Sequence, residues 1–210
     1  MKIPCSDCGV LILQETAERN GGRCMPCRSG TRAQIEASKI AAKRERELDA
    51  TDPIRIYWRD LVDMVYKTPA GLNSLSEHEL QYWAVGCLSG EVYNGGFDQY
   101  FHNSSASTYH AALRGLEAMG ALGSLLLLQK AKQIVFGFKD VPENTSARRD
   151  FLANTSSDSR QQRLDELDRQ FWADPDKLAE LCEEFAVRHG LVRLTAQQGA
   201  PVDGLRPPLS

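Results

Sequence analysis

The stretch that decides the fold runs Ser76-Glu77-His78-Glu79-Leu80-Gln81-Tyr82-Trp83-Ala84-Val85-Gly86-Cys87-Leu88-Ser89-Gly90-Glu91-Val92-Tyr93-Asn94-Gly95-Gly96-Phe97-Asp98-Gln99-Tyr100-Phe101-His102-Asn103-Ser104-Ser105. Ser76 with Glu79 three residues later has the form of a capping box, which starts a helix by satisfying two orphan backbone donors. Leu80, Trp83, Ala84, Cys87, Leu88 and Val92 then recur at three- and four-residue steps and share one apolar face. Asn94-Gly95-Gly96 stops that helix. A second helix follows at once, with Phe97, Tyr100 and Phe101 directed at a core and Asn103-Ser104-Ser105 capping or turning it. Asn94, Gly95, Gly96, Phe97, Gln99, Tyr100, Phe101 and Asn103 therefore read as a structural corner, in which the Asn and Gln side chains bond backbone groups freed by the break.

Helical periodicity continues on both sides, so the fold class is mainly α, a multi-helix globular domain over residues 52–190. Asp52-Pro53 opens it with a good N-cap and a proline in the first turn, and Ile54, Tyr57, Trp58, Leu61, Val62 and Val65 form a stripe to be buried. Tyr109, Ala112, Leu113, Leu116 and Met119 mark a further helix. The run from Leu122 to Val135 is hydrophobic nearly all round and is expected to be central, ending at Gly137. Residues 140–159, rich in Ser, Thr, Asn and Asp, read as a mobile connection. Leu164, Leu167, Phe171 and Trp172 resume the helical spacing, and Asp174-Pro175 starts a last helix that buries Leu178, Leu181, Cys182, Phe185 and Ala186 before His189-Gly190. Residues 191–210 are expected to be a flexible tail. Ahead of the domain, residues 31–51 carry Ile35, Ile40 and Leu48 too sparsely to form a buried face, which predicts a charged helical linker.

Residues 1–30 have almost no apolar material but hold Cys5-x2-Cys8 and Cys24-x2-Cys27, with Gly21-Gly22 supplying a turn before the second pair. Two such pairs closed by a hairpin can surround one Zn2+ tetrahedrally, and four cysteines leave no position for a catalytic water. Structural zinc at Cys5, Cys8, Cys24 and Cys27 is the reading; disulfides and a redox Cys-x2-Cys pair are its competitors. Cys87 and Cys182 lie on apolar helix faces and read as small core residues.

The chain has 210 residues, 42% of them hydrophobic, and a formal net charge of −3, which excludes a uniformly basic nucleic-acid binder. Its start has no apolar signal region, and the densest apolar run, residues 121–128, is too short to span a bilayer. A cytoplasmic protein without a membrane partner is expected. The acidity is local: residues 158–184 carry Asp158, Asp165, Glu166, Asp168, Asp174, Asp176, Glu180, Glu183 and Glu184 against Arg160, Arg163, Arg169 and Lys177.

The corner, through Asn94-Gly95-Gly96-Phe97 with Gln99, Tyr100, Phe101 and Asn103-Ser104-Ser105, resembles the signature of the DNA mimic protein family, as do residues 116–120 and 164–168. The resemblance covers roughly residues 53–190. It implies a helical fold, a capacity to form a homodimer and, for some members, an acidic surface that occupies the DNA-binding face of a transcriptional regulator. The expected function is then a non-enzymatic interaction protein that binds a protein partner, such as a DNA-binding regulator, through Asp165, Glu166, Asp168, Asp174, Asp176, Glu180, Glu183 and Glu184. The alternative is a zinc-ribbon protein that binds nucleic acid through Arg19, Arg23, Arg28 and Arg32 while the helical domain dimerises. No enzyme is expected: His78, His102, His110 and His189 fit no metal-binding motif, and no nucleophile elbow or P-loop occurs. His102 reads as a capping or core histidine. A hydrolytic reading would need Gln99, Tyr100 and His102 in one polar pocket.

Overall fold

The computed structural model describes residues 1–193, so the expected tail from residue 194 onward lies outside the described residues. Of the three tail residues that are described, Leu191 and Val192 continue the domain. The Leu191 N–H donates to the Ala186 carbonyl at 2.8 Å, and Val192 is buried. The chain divides into two compact units, residues 1–56 and residues 57 onward.

In the first unit β1 (Lys2–Pro4) pairs antiparallel with β2 (Leu11–Leu13), Ile3 opposite Ile12. Helix α1 (Gln14–Arg19) follows without a break, and the short α2 (Met25–Arg28) carries the second cysteine pair. Only Cys5, Ala17, Asn20 and Cys24 are buried among residues 1–30, so two of the four interior residues are thiols. Helix α3 (Arg32–Thr51) is 20 residues long and buries none of them. Ion pairs at i,i+4 spacing, Arg32–Glu36 and Lys43–Glu47, lie along it.

Helix α4 (Pro53–Lys67) begins where the sequence places it, with Asp52 Oδ1 accepting from the Ile54 N–H at 2.8 Å. Within the second unit, Trp58 stacks on Trp83 with ring centroids 5.0 Å apart. Gly86 makes room for it, since a Cβ there would lie 2.5 Å from Trp58 Cζ3. Of the α4 stripe Leu61 alone is fully buried; the rest is half-buried.

The centre of the domain is α5 (Glu77–His102), capped by the Ser76–Glu79 box and bent at Gly95 and Gly96, where the backbone leaves helical geometry. Around it pack α6 (Tyr109–Met119), α8 (Thr145–Asn154), α9 (Asp158–Trp172) and α10 (Leu178–Arg188). Helix α7 (Leu122–Phe136) packs on α6 and α9 instead. The expectation that this leucine-rich run is central is therefore corrected: Leu122 and Leu126 are 63% and 50% exposed. A helix with leucines on every side still buries only the faces its neighbours cover.

The mobile connection expected over 140–159 is also corrected. Asn144 Oδ1 accepts from the Ala147 N–H at 2.9 Å and starts α8, which sends Arg148 into the core, wholly buried. Polar composition suggests a loop, but an arginine whose donors all find acceptors holds a helix in place. The last helix begins at Leu178 rather than at Asp174-Pro175; Asp174 and Lys177 take left-handed backbone conformations ahead of it.

Candidate functional site

The four cysteines of the first unit converge. Their sulfur atoms all lie within 4.8 Å of one another, with Cys8 and Cys24 Sγ 3.7 Å apart, and the cluster can hold a metal ion. The knuckle backbone points inward, the Cys24 N–H reaching Cys5 Sγ at 3.2 Å. That hydrogen bond is the main cause that lowers the Cys5 thiol to about 6, whereas burial and the neighbouring sulfurs push Cys27 up to about 12. Four thiols this close do not all ionise without a cation among them. The arginines considered for nucleic acid are engaged within the unit. Arg19 pairs with Glu15, Arg23 with Asp7, Arg28 bonds Asn20 Oδ1 and the Arg19 carbonyl, and Arg32 reaches the sulfurs of Cys8 and Cys24.

In the second unit the corner of α5 is closed by α9. Asp168 Oδ1 accepts from the Phe97 N–H at 2.8 Å, capping the helix that restarts after Gly96. One turn further on, Trp172 Nε1 donates to the Val92 carbonyl at 2.8 Å, at the end of the first half. Gly96 has φ +80°, and a Cβ there would lie 2.7 Å from Asp168 Cγ, so both backbone freedom and space demand glycine.

Gln99 Nε2, Asn103 Nδ2 and Ser105 Oγ do not serve freed backbone groups as expected: all three donate to the Glu91 carboxylate, at 2.7 to 2.8 Å. Glu91 is the residue that sequence reasoning missed. Its signal was a carboxylate two turns ahead of Gln99, on a helix otherwise apolar on that side.

Arg148 completes the corner from α8. Its guanidinium donates to the carbonyls of Phe101 and Pro142 at 2.6 Å, to those of Glu143 and Asn103, and to Thr145 Oγ1. No carboxylate pairs with it among the described residues, and burial lowers its pKa. The carbonyls at the C-terminal end of α5 take the charge instead. Tyr100 is buried, Gln99 is held by Glu91, and His102 is exposed in the last turn of α5, which corrects its reading as a core residue. Gln99, Tyr100 and His102 are not brought into one pocket.

The structure sorts the eight candidate acidic residues. Asp168 is 5% exposed and belongs to the corner. Asp176 accepts from the Gly123 and Ser124 N–H groups, capping α7, and Asp174 accepts from the Leu178 N–H at 2.9 Å, ahead of α10. All three are thereby engaged as acceptors of backbone N–H groups, Asp168 buried and Asp174 and Asp176 half-buried. The other five, Asp165, Glu166, Glu180, Glu183 and Glu184, are exposed. Glu166 pairs with Arg169 and Glu180 with Lys177, both at the surface, while Gln161 bonds Asp165. Glu183 and Glu184 have no ion-pair partner among the described residues, and with Glu180 they stand on the outer face of α10.

Residues 73–189, from just ahead of α5 to the end of α10, match the family model described as DMP19-like protein. The chain belongs to the DMP19-like protein family. No curated protein and no solved structure matches it. The match takes in the whole corner, with Glu91, Gly96, Phe97, Arg148 and Asp168, and leaves out α4 and the cysteine unit. This is a family of DNA mimic proteins, so membership suggests a role in protein interaction. Among the described residues no helix is long and apolar enough to cross a membrane.

Proposed function

We propose that this DMP19-like protein is a non-enzymatic interaction protein whose helical domain binds a DNA-binding regulator through the acidic face of α10, Glu180, Glu183 and Glu184, extended by Asp165 and Glu166 of α9. The observation that carries the reading is the exposed pair Glu183 and Glu184, which form no ion pair among the described residues although Arg188 lies on the same patch one turn on. The surface ion pairs at Glu166 and Glu180 are worth little in water, so a partner's cations can replace Arg169 and Lys177 there at small cost. Carboxylates so placed present a basic, DNA-binding surface with the charge it normally meets on phosphates.

The first unit is the structural accessory, a zinc ribbon. A Zn–S bond of about 2.3 Å gives a tetrahedron with edges of about 3.8 Å, and the Cys8–Cys24 sulfur separation is 3.7 Å. The residues fit the ion. Zinc bound there supplies folding energy to a unit with almost no core, and its four sulfur ligands leave no open position for chemistry.

The test is a partner capture with wild-type chain, then binding measured against salt for the triple variant Glu180→Gln, Glu183→Gln, Glu184→Gln. The expected partner binds duplex DNA, is displaced by it, and binds the variant roughly tenfold more weakly or worse. A partner indifferent to duplex DNA, or a variant that binds as wild type does, would sink the reading.

A further inference from the structure

The zinc reading carries a charge problem. Four thiolates around Zn2+ leave the centre at −2, in a unit with little interior to shield it. One arginine meets that charge. Arg32, the first residue of α3, donates through Nη2 to Cys24 Sγ at 3.0 Å and to Cys8 Sγ at 3.2 Å. Its Nη1 bonds Glu36 Oε1 at 3.2 Å, which fixes the guanidinium from the far side. Arg19, Arg23 and Arg28 are turned to Glu15, Asp7 and Asn20. The side chain of Arg32 is 25% exposed, against 80% for Arg19 and 49% for Arg23, so its charge acts in a drier place than theirs.

We propose that Arg32 is a positioning residue of the metal centre, offsetting its negative charge through two N–H···S bonds and tying the first turn of α3 to the loaded site. The planar guanidinium suits this, because one nitrogen can lie between two sulfurs of a tetrahedral edge while the other is held by a carboxylate. The tie matters to α3 itself. That helix buries no residue, and Thr31 gives it no side-chain cap. An outer partner of this kind supports metal affinity without being a ligand, and removing one typically costs ten- to a hundredfold.

The inference rests on the zinc reading, and one experiment on the full chain separates the two. Wild type, Arg32→Ala, Arg32→Lys and the control Arg23→Ala are each titrated with zinc against a competing chelator, and with cobalt to read tetrahedral thiolate absorption. Wild type and Arg23→Ala should bind alike; Arg32→Ala should bind roughly ten- to a hundredfold more weakly while keeping the tetrahedral cobalt spectrum, and its cysteines should alkylate faster. Arg32→Lys should recover part of the affinity, since a single ammonium lacks the fork. Wild type that takes up no metal overturns both readings. Wild type that loads while Arg32→Ala loads equally tightly overturns this one alone.

Discussion

The two units of this chain solve one problem, offsetting the entropy of an ordered backbone, by different means. Residues 1–30 bury four side chains, two of them cysteines, and on the proposed zinc reading depend on the ion the thiols hold. The helical domain buries a continuous apolar core around α5 and uses charged residues to close its backbone: buried Asp168 caps a restarted helix, half-buried Asp176 caps α7, buried Arg148 takes the carbonyls at the end of α5. A charge in the first unit serves a site. A charge in the second often closes the backbone, and only what is left over is surface.

Removing metal should separate the units most sharply. Chelation, or Cys24→Ser, should expose the thiols and unfold the cysteine unit, forfeiting a binding energy of about 10–16 kcal/mol, while the melting of the helical domain stays where it was. If the domain's melt moves with the metal, the two are one cooperative system and the comparison is broken.

Arg148→Ala should be the largest single loss in the helical domain, about 3–5 kcal/mol in denaturant unfolding, because several buried carbonyls lose their donor together. Arg148→Lys should recover little, the fork being what reaches both Phe101 and Pro142. A loss below about 1 kcal/mol would mean that water replaces the guanidinium and that the corner is not closed by charge.

Asp168 gives the smallest and most specific effect. Burial raises its pKa, with the Phe97 N–H pulling the other way. The folded chain thus holds this proton more tightly than the unfolded one. The group's contribution to stability is complete below the unfolded value, about 3.9, and is lost as pH rises through the raised folded value. Asp168→Asn keeps an acceptor for Phe97 and should remove that pH dependence, at a cost within about 1 kcal/mol, whereas Asp168→Ala should cost about 1–3 kcal/mol. Unfolding free energies measured from pH 4 to 7 compare the three. Equal stability of the Ala and Asn variants would show that the cap contributes nothing.

What could be read from residues alone followed the local rules. The Ser76–Glu79 box, the Asp52 cap, the cysteine spacing and the stop at Gly95-Gly96 each concern residues within a few positions of one another, where covalent geometry leaves few choices. What could not be read were pairings across long separations. Acidity over residues 158–184 looked like one surface, but Asp168 meets Phe97, 71 positions away, and Asp176 meets Ser124, 52 away. Nothing in a run of charge tells which carboxylate will be called inward.

By itself, then, the sequence determined a helical domain with a glycine corner and a four-cysteine unit ahead of it. Tertiary structure alone decided that α5 is central rather than the leucine-rich α7, that Arg148 turns residues 145–154 into a packed helix, and which five of the eight acidic candidates face water. The physical reason is common to all three. Periodicity says which side of a helix is apolar, but a buried donor or acceptor is tolerated only where a distant partner arrives to satisfy it, and that partner is set by the packing of the whole chain.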